Sequence, residues 1–185
     1  VATIAFRKGQ HILAEAFAEI AGEFPDWTLH LVGMPTESEC VERIHHIIAS
    51  KGLERRIILH EPHPDPTVFY RRCEIYVQPS LIEGLGLSLQ EAMFHGRACV
   101  GSNTGGIPEL IEDSDCGILV KPGDTASLAE ALRSLIASPV QRQSYGNNAR
   151  ASILNRGMTC RRMIDWHRSY YQQLTAVVSD CEAGI

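Results

Sequence analysis

Short apolar runs rich in β-branched residues alternate with segments of helical periodicity along most of this chain. That alternation constrains the fold more than any other feature. Strands are expected at residues 1–4, 28–32, 57–59, 75–77, 98–101 and 118–120. Helices are expected at 10–23, 38–51, 67–72, 87–95, 107–111 and 126–137. Ile12, Leu13, Ala16, Phe17 and Ile20 recur at helical spacing, as do Leu128, Ala131, Leu132, Leu135 and Ile136. Pro25 and Gly52 stop the first two long helices. Strand followed by helix, repeated with right-handed crossovers, implies an α/β domain: a parallel sheet covered on both faces, in a Rossmann-like three-layer arrangement.

After Ala137 the pattern changes. Residues 139–151 and 160–178 read as two C-terminal helices with Gly157 between them and no strand after. Met163, Trp166, Tyr170 and Leu174 share one face of the last helix. The simpler account packs that stripe on the domain's own flank. The alternative is a helix that leaves the domain to touch a partner domain.

At 185 residues the chain suits one domain, 1–178, with a short tail at 179–185. It opens directly on strand-like sequence, as a domain cut from a longer protein would. A net charge of −5 gives no broad basic surface for nucleic acid. No apolar run reaches membrane-spanning length, and no signal peptide is visible. The six cysteines contain no C-x-x-C pair, so zinc or a disulfide framework is not expected. Reduced thiols in a cytoplasmic protein are the simpler reading.

In an open parallel sheet, ligands bind beyond the carboxyl ends of the strands. The loops there carry Lys8, Glu61 to His63, Glu83 to Gly86, and Gly105-Gly106. Gly84 and Gly86 allow close backbone approach, and the helix that follows offers free N–H groups to an anion. For two loop glycines taken alone, a tight turn without ligand is the simpler account. Glu83 and Glu91, with seven residues between them, say more. Carboxylates flanking an anion site suit a ligand that also offers hydroxyls, as a sugar nucleotide does. Lys8 could stabilise charge on a phosphate leaving group. No Ser–His–Asp order and no metal-ligand cluster stands out.

These residues also carry a family resemblance. Lys8-Gly9, the strand end at residues 76–80, Glu83-Gly84-Leu85-Gly86-Leu87, Glu91-Ala92-Met93, Gly96, Gly105-Gly106-Ile107-Pro108-Glu109 and Gly117-Ile118-Leu119-Val120 resemble the C-terminal domain of retaining GT-B glycosyltransferases, family 4. The resemblance runs from Val1 to about Tyr171. It implies one Rossmann-like half of a GT-B fold, the half that binds the donor, with the N-terminal acceptor domain absent from this chain.

By the same resemblance, Glu91 holds the ribose and Glu83 contacts the donor sugar. The Gly86–Leu87 backbone meets sugar or diphosphate, and Lys8 binds the diphosphate without a metal. Glu61 and His63 lie near the base, and Gly84, Gly105 and Gly106 near the donor pocket. The implied reaction is hexosyl transfer from a UDP-, GDP- or ADP-sugar to a glycan or lipid-linked acceptor, with no further cofactor. The full-length protein would be cytoplasmic or membrane-associated, and the last helix could pair two copies once its partner domain is missing.

Two departures stand against the pattern. Thr3 occupies the place of an arginine that pairs with the diphosphate; losing such a charge costs about 2.7–4 kcal/mol by analogy with a deleted transition-state donor. Arg7 is the nearest candidate to compensate. Glu61 stands where the family often has a glycine beside the base. Two rival functions remain open: a nucleotide-sugar epimerase of GT-B fold, and a non-catalytic binding or scaffold domain.

Overall fold

The computed structural model describes residues 1–112 and 115–182, with side chains of the last helix described through Gln172. The strands are β1 (Leu29–Val32), β2 (Ile57–His60), β3 (Ile75–Gln78), β4 (Ala98–Ser102) and β5 (Gly117–Val120). The helices are α1 (Gln10–Ile20), α2 (Ser38–Lys51), α3 (Thr67–Arg72), α4 (Leu87–Phe94), α5 (Ile107–Ile111), α6 (Thr125–Ala137), α7 (Pro139–Asn155) and α8 (Cys160–Glu182). Phe6–Lys8 form a single 3₁₀ turn between residues 1–5 and α1. Strand and helix alternate as expected, and every strand pair is parallel.

The apolar pattern explains the layers. β4 is buried throughout, and its residues alternate between two cores. Ala98 and Val100 face a core built with Leu13 and Phe17 of α1, Ile44 of α2 and Leu128 and Leu135 of α6. Cys99 faces a second core built with Tyr70 of α3, Leu89 and Met93 of α4, Ile107 and Ile111 of α5, and Ile153 of α7. A strand buried on both faces cannot alternate apolar and polar residues, which is why it reads as a short continuous apolar run.

Three local expectations change. α1 ends at Ile20 rather than residue 23, because the Glu23 N–H turns back onto the Ile20 carbonyl at 2.9 Å. α7 continues to Asn155 rather than 151, because Ala149 and Ile153 keep one face buried in the second core. The sheet is also divided: β1 pairs only with β2, and β3–β4–β5 form a separate set. The segment at residues 1–4 is extended but pairs on one side. Ala2 N donates to Val32 O at 2.9 Å and Ile4 N to Met34 O at 2.8 Å.

The flank-packing account of the last helix is not met. Met163, Trp166 and Tyr170 are 56%, 61% and 47% exposed. Trp166 and Tyr170 instead stack on each other, ring centroids 5.5 Å apart. The helix backbone runs to Glu182, past the expected end at 178, and of the expected tail residues 183–185 lie outside the described residues. No helix among the described residues is long and apolar enough to cross a membrane.

Gly146, inside α7, lies so close to the turn before β4 that an added Cβ would meet the Gly96 carbonyl oxygen at 2.2 Å. Propensity alone favours alanine over glycine there by about 1 kcal/mol. The backbone clash reverses that sign. Gly146→Ala is expected to destabilise the domain by about 1–3 kcal/mol, read as a lower urea midpoint at unchanged slope.

Candidate functional site

Three segments far apart in sequence meet beyond the carboxyl end of β3. The first is the turn at Phe6–Lys8. The second is Gln78 to Ser80, leaving β3, and the third is the loop from Glu83 to Gly86 that enters α4. Backbone bonds fix the first two together: Leu81 N and Ile82 N both donate to the Arg7 carbonyl, at 2.8 and 3.3 Å. Gly9 permits this approach. Its φ is +70°, and a Cβ there would overlap the Pro79 carbonyl oxygen at 1.9 Å.

The Glu83 carboxylate is the centre of this meeting. Its Oε2 accepts from Lys8 Nζ at 2.8 Å, Gln78 Nε2 at 2.7 Å and Ser80 Oγ at 3.0 Å. Among the described residues its Oε1 has only the Gly84 N–H, at 3.1 Å. A carboxylate offers about four lone-pair sites, so Oε1 keeps room for another donor while Oε2 is saturated. Gln78 is itself oriented: Tyr76 Oη donates to its Oε1 at 2.6 Å, which turns the amide nitrogen toward Glu83. Burial works to raise the Glu83 pKa. The Lys8 bond, the Gly84 N–H, Ser80 and the Lys8 charge outweigh it and hold the carboxyl below its ordinary value.

Lys8, Gln78, Glu83, Leu85, Gly86, Leu87 and Ser88 line a cavity of about 310 Å3. Gly86 begins α4 with no side-chain cap. The first-turn N–H groups of that helix therefore have no intrahelical acceptors and form the positive end of its dipole. Lys8 uses one of its three N–H donors on Glu83, leaving two for an anion. The site thus pairs an acceptor carboxylate, suited to hydroxyls, with a cation and a helix start suited to phosphate. Leu85 and Leu87 form its exposed apolar rim.

The other residues singled out from the sequence fall elsewhere. Glu91 is exposed, one turn further along α4, outside the cavity lining. Gly105 and Gly106 support the Glu83 loop from behind: Gly106 N donates to Gly84 O at 2.8 Å, and a Cβ on Gly105 would meet Glu83 O at 2.0 Å. Glu61 and His63 follow β2 and are both exposed. His63 accepts the Asp65 N–H at 3.1 Å and borders a separate, larger cavity. Thr3 binds through its carbonyl to Gln10 Nε2 at 2.8 Å. Arg7 is exposed and does not line the cavity at Glu83. No trio of His, Cys, Asp or Glu among the described residues is arranged to hold a metal ion.

Gln78 and Ser80 are the side chains bonded to Glu83 that sequence reading passed over. Ser80 lies three residues before Glu83, and the S-x-x-E spacing signals a hydroxyl within reach of a carboxylate. Here the two side chains bond directly. Nothing in the sequence marks Gln78; its role follows from the end of β3 being packed against the Lys8 turn.

A depressed carboxyl pKa stabilises the fold above the unfolded value of about 4.5, and that stability is lost as pH falls through the folded value. Lys8→Met is therefore expected to cost about 1.5–3 kcal/mol near pH 7, the worth of a hydrogen bond to a charged group. The difference from the parent protein should shrink as pH falls below 4.5, when urea titrations are compared across pH.

Comparison with known proteins places this geometry. The family model described as Glycosyl transferases group 1 matches residues 1–152. A lipopolysaccharide core biosynthesis mannosyltransferase, LpcC of Rhizobium leguminosarum bv. viciae, is 32% identical over 145 residues, covering 77% of this chain and 41% of its own. A D-inositol 3-phosphate glycosyltransferase of Corynebacterium aurimucosum is 30% identical over 147 residues, 77% of this chain and 35% of its own. The chain thus spans about two fifths of the length of the curated relatives it matches. Among solved structures, Anabaena HepE in complex with UDP and glucose superposes with a TM-score of 0.75 at 30% identity, covering 80% of this chain and 40% of that one. The C-terminal domain of a glycosyl transferase group 1 family protein, LpcC of Francisella tularensis, superposes with a TM-score of 0.78 at 28% identity, covering 84% and 82%. With the Rossmann-like layers and the loop site already described, these matches establish that the chain belongs to the glycosyl transferases group 1 family and carries one half of a GT-B fold.

Proposed function

We propose that this domain binds a nucleoside diphosphate sugar and presents it for hexosyl transfer with retention of configuration. The observation that carries the reading is the half-saturated Glu83 carboxylate beside Lys8 and the uncapped start of α4. The UDP- and UDP-glucose-bound structures of Anabaena HepE support a nucleotide-sugar ligand. Glu83 Oε1 takes a sugar hydroxyl, while its occupied Oε2 keeps the carboxylate fixed. The free protons of Lys8 and the α4 N–H groups take the diphosphate and stabilise charge as it departs, so no metal is required. Glu91, one turn on, holds the ribose diol. Glu61 and His63 face the base, and Gly105-Gly106 keep the Glu83 loop in place. The acceptor hydroxyl attacks from the face the diphosphate leaves, within a full-length cytoplasmic protein whose second domain brings a glycan or lipid-linked acceptor.

A second reading, binding without transfer, draws on Thr3 and on Arg7 lying outside the cavity at Glu83. Product analysis on full-length protein separates the two: a glycoside supports transfer, whereas bound donor left unchanged supports a binding domain. The exposed Met163, Trp166 and Tyr170 stripe is proposed to meet the acceptor domain or, without it, a second copy of this chain.

Calorimetric titration with UDP-, GDP- and ADP-sugars tests donor binding. One nucleotide class should bind to the parent domain, and Glu91→Ala should weaken it at least tenfold, about 1.4 kcal/mol. Absence of binding to all three, or affinity unchanged by the substitution, would count against the assignment.

A further inference from the structure

The second core holds two tyrosines side by side, Tyr70 of α3 and Tyr76 of β3, with ring centroids 5.7 Å apart. Their hydroxyls are treated differently. Tyr76 Oη donates to Gln78, which in turn binds Glu83. Tyr70 is wholly buried, at 0% exposure, in a core shared with Leu89, Ala92 and Met93 of α4. Its Oη has no hydrogen-bond partner among the described residues. A buried hydroxyl left unpaired costs stability, and phenylalanine would fill the same space without that cost. The hydroxyl therefore calls for a use beyond packing.

The polar side chains beside it are Ser88 and Glu91, one turn apart on α4. The Tyr70 ring also stacks on His95, at the end of the same helix, with centroids 6.0 Å apart and planes 12° from parallel. That stacking fixes the ring against α4. Burial above all pushes the Tyr70 phenol well above its ordinary value; Ser88 works against this and Glu91 adds to it. The phenol stays protonated at neutral pH and has one proton to give. A carboxylate only accepts. A bond to that charged acceptor is stronger than one to a serine hydroxyl, so Glu91 is the partner the chemistry favours.

We propose that Tyr70 is the positioning residue for Glu91: its buried hydroxyl donates to one carboxylate oxygen and leaves the other for the ligand. This role rests on Glu91 being the ribose-binding carboxylate of the proposed function. Glu91 is exposed and, without support, ranges over its rotamers. Held by Tyr70, it divides its oxygens as Glu83 does, one kept and one offered. The two tyrosines then serve the two glutamates from a single core, Tyr76 through Gln78 and Tyr70 directly.

A first test needs no donor. In protein carrying tyrosine isotope-labelled at the ring Cζ, the Tyr70 NMR signal is the one lost in Tyr70→Phe. It should move in Glu91→Ala, and by more than in Ser88→Ala. A Tyr70 signal left in place by Glu91→Ala, or moved further by Ser88→Ala, would overturn the proposal. The second test is calorimetric titration with the nucleotide sugar that binds. Tyr70→Phe should weaken binding roughly five- to tenfold without lowering the urea midpoint, because the hydroxyl it removes is unpaired in the free protein. In the Glu91→Ala background the same substitution should change affinity by less than about twofold. Equal losses in both backgrounds, or no loss in either, would overturn the positioning role. Should no nucleotide sugar bind at all, the donor reading falls, while the Tyr70 signal still decides whether Tyr70 holds Glu91.

Discussion

The site depends on one carboxylate. Glu83 draws Lys8 from the first turn of the chain, Gln78 and Ser80 from the end of β3, and the Gly84 backbone from its own loop. A buried carboxylate without partners would be costly, and one with too many would have nothing left for a ligand. Here the donors divide unevenly. Among the described residues, one oxygen is held by three groups and the other by a single N–H, which gives a rigid group that can still accept. The lysine also offsets the glutamate's charge, so an anion can approach a site that contains a carboxylate.

The surrounding architecture keeps that carboxylate in place at two close backbone approaches. Gly9 meets Pro79, and Gly105 meets Glu83, in each case with space for no side chain. These contacts relate β3, α4 and the β4–α5 loop directly, without long flexible side chains between them. Precision at the Glu83 loop therefore rests on backbone packing. The exposed Leu85 and Leu87 at the cavity's rim are free to meet whatever covers the cleft.

Much of the fold was legible because burial imposes period. β4 lies between two cores and reads as an unbroken apolar run, while α1 and α6 carry one-sided stripes. Lys8, Glu83, Gly86 and Leu87, which line one cavity, were legible as a candidate group because they follow strands or begin a helix at the ligand edge of a parallel sheet. Gln78 was not, because a glutamine at a strand end has no signature until a neighbouring turn delivers a partner. Gly105-Gly106 had the same limit: the sequence shows two glycines in a turn, and only packing shows that they bear on the Glu83 loop.

The sequence by itself determined the element order, the parallel layering and the candidate loop, with Glu83 in it and Glu91 on the helix that follows, since these follow from hydrophobic period and from where turns must fall. The tertiary structure decided which oxygen of Glu83 is occupied, since that depends on side chains 75, 5 and 3 residues away in the chain. It also decided that the segment at residues 1–4 pairs with the end of β1, through Ala2 N to Val32 O and Ile4 N to Met34 O. Hydrogen bonds between distant segments and the pairing of strand edges are set by approach in space, and a pattern of residue types carries no record of either.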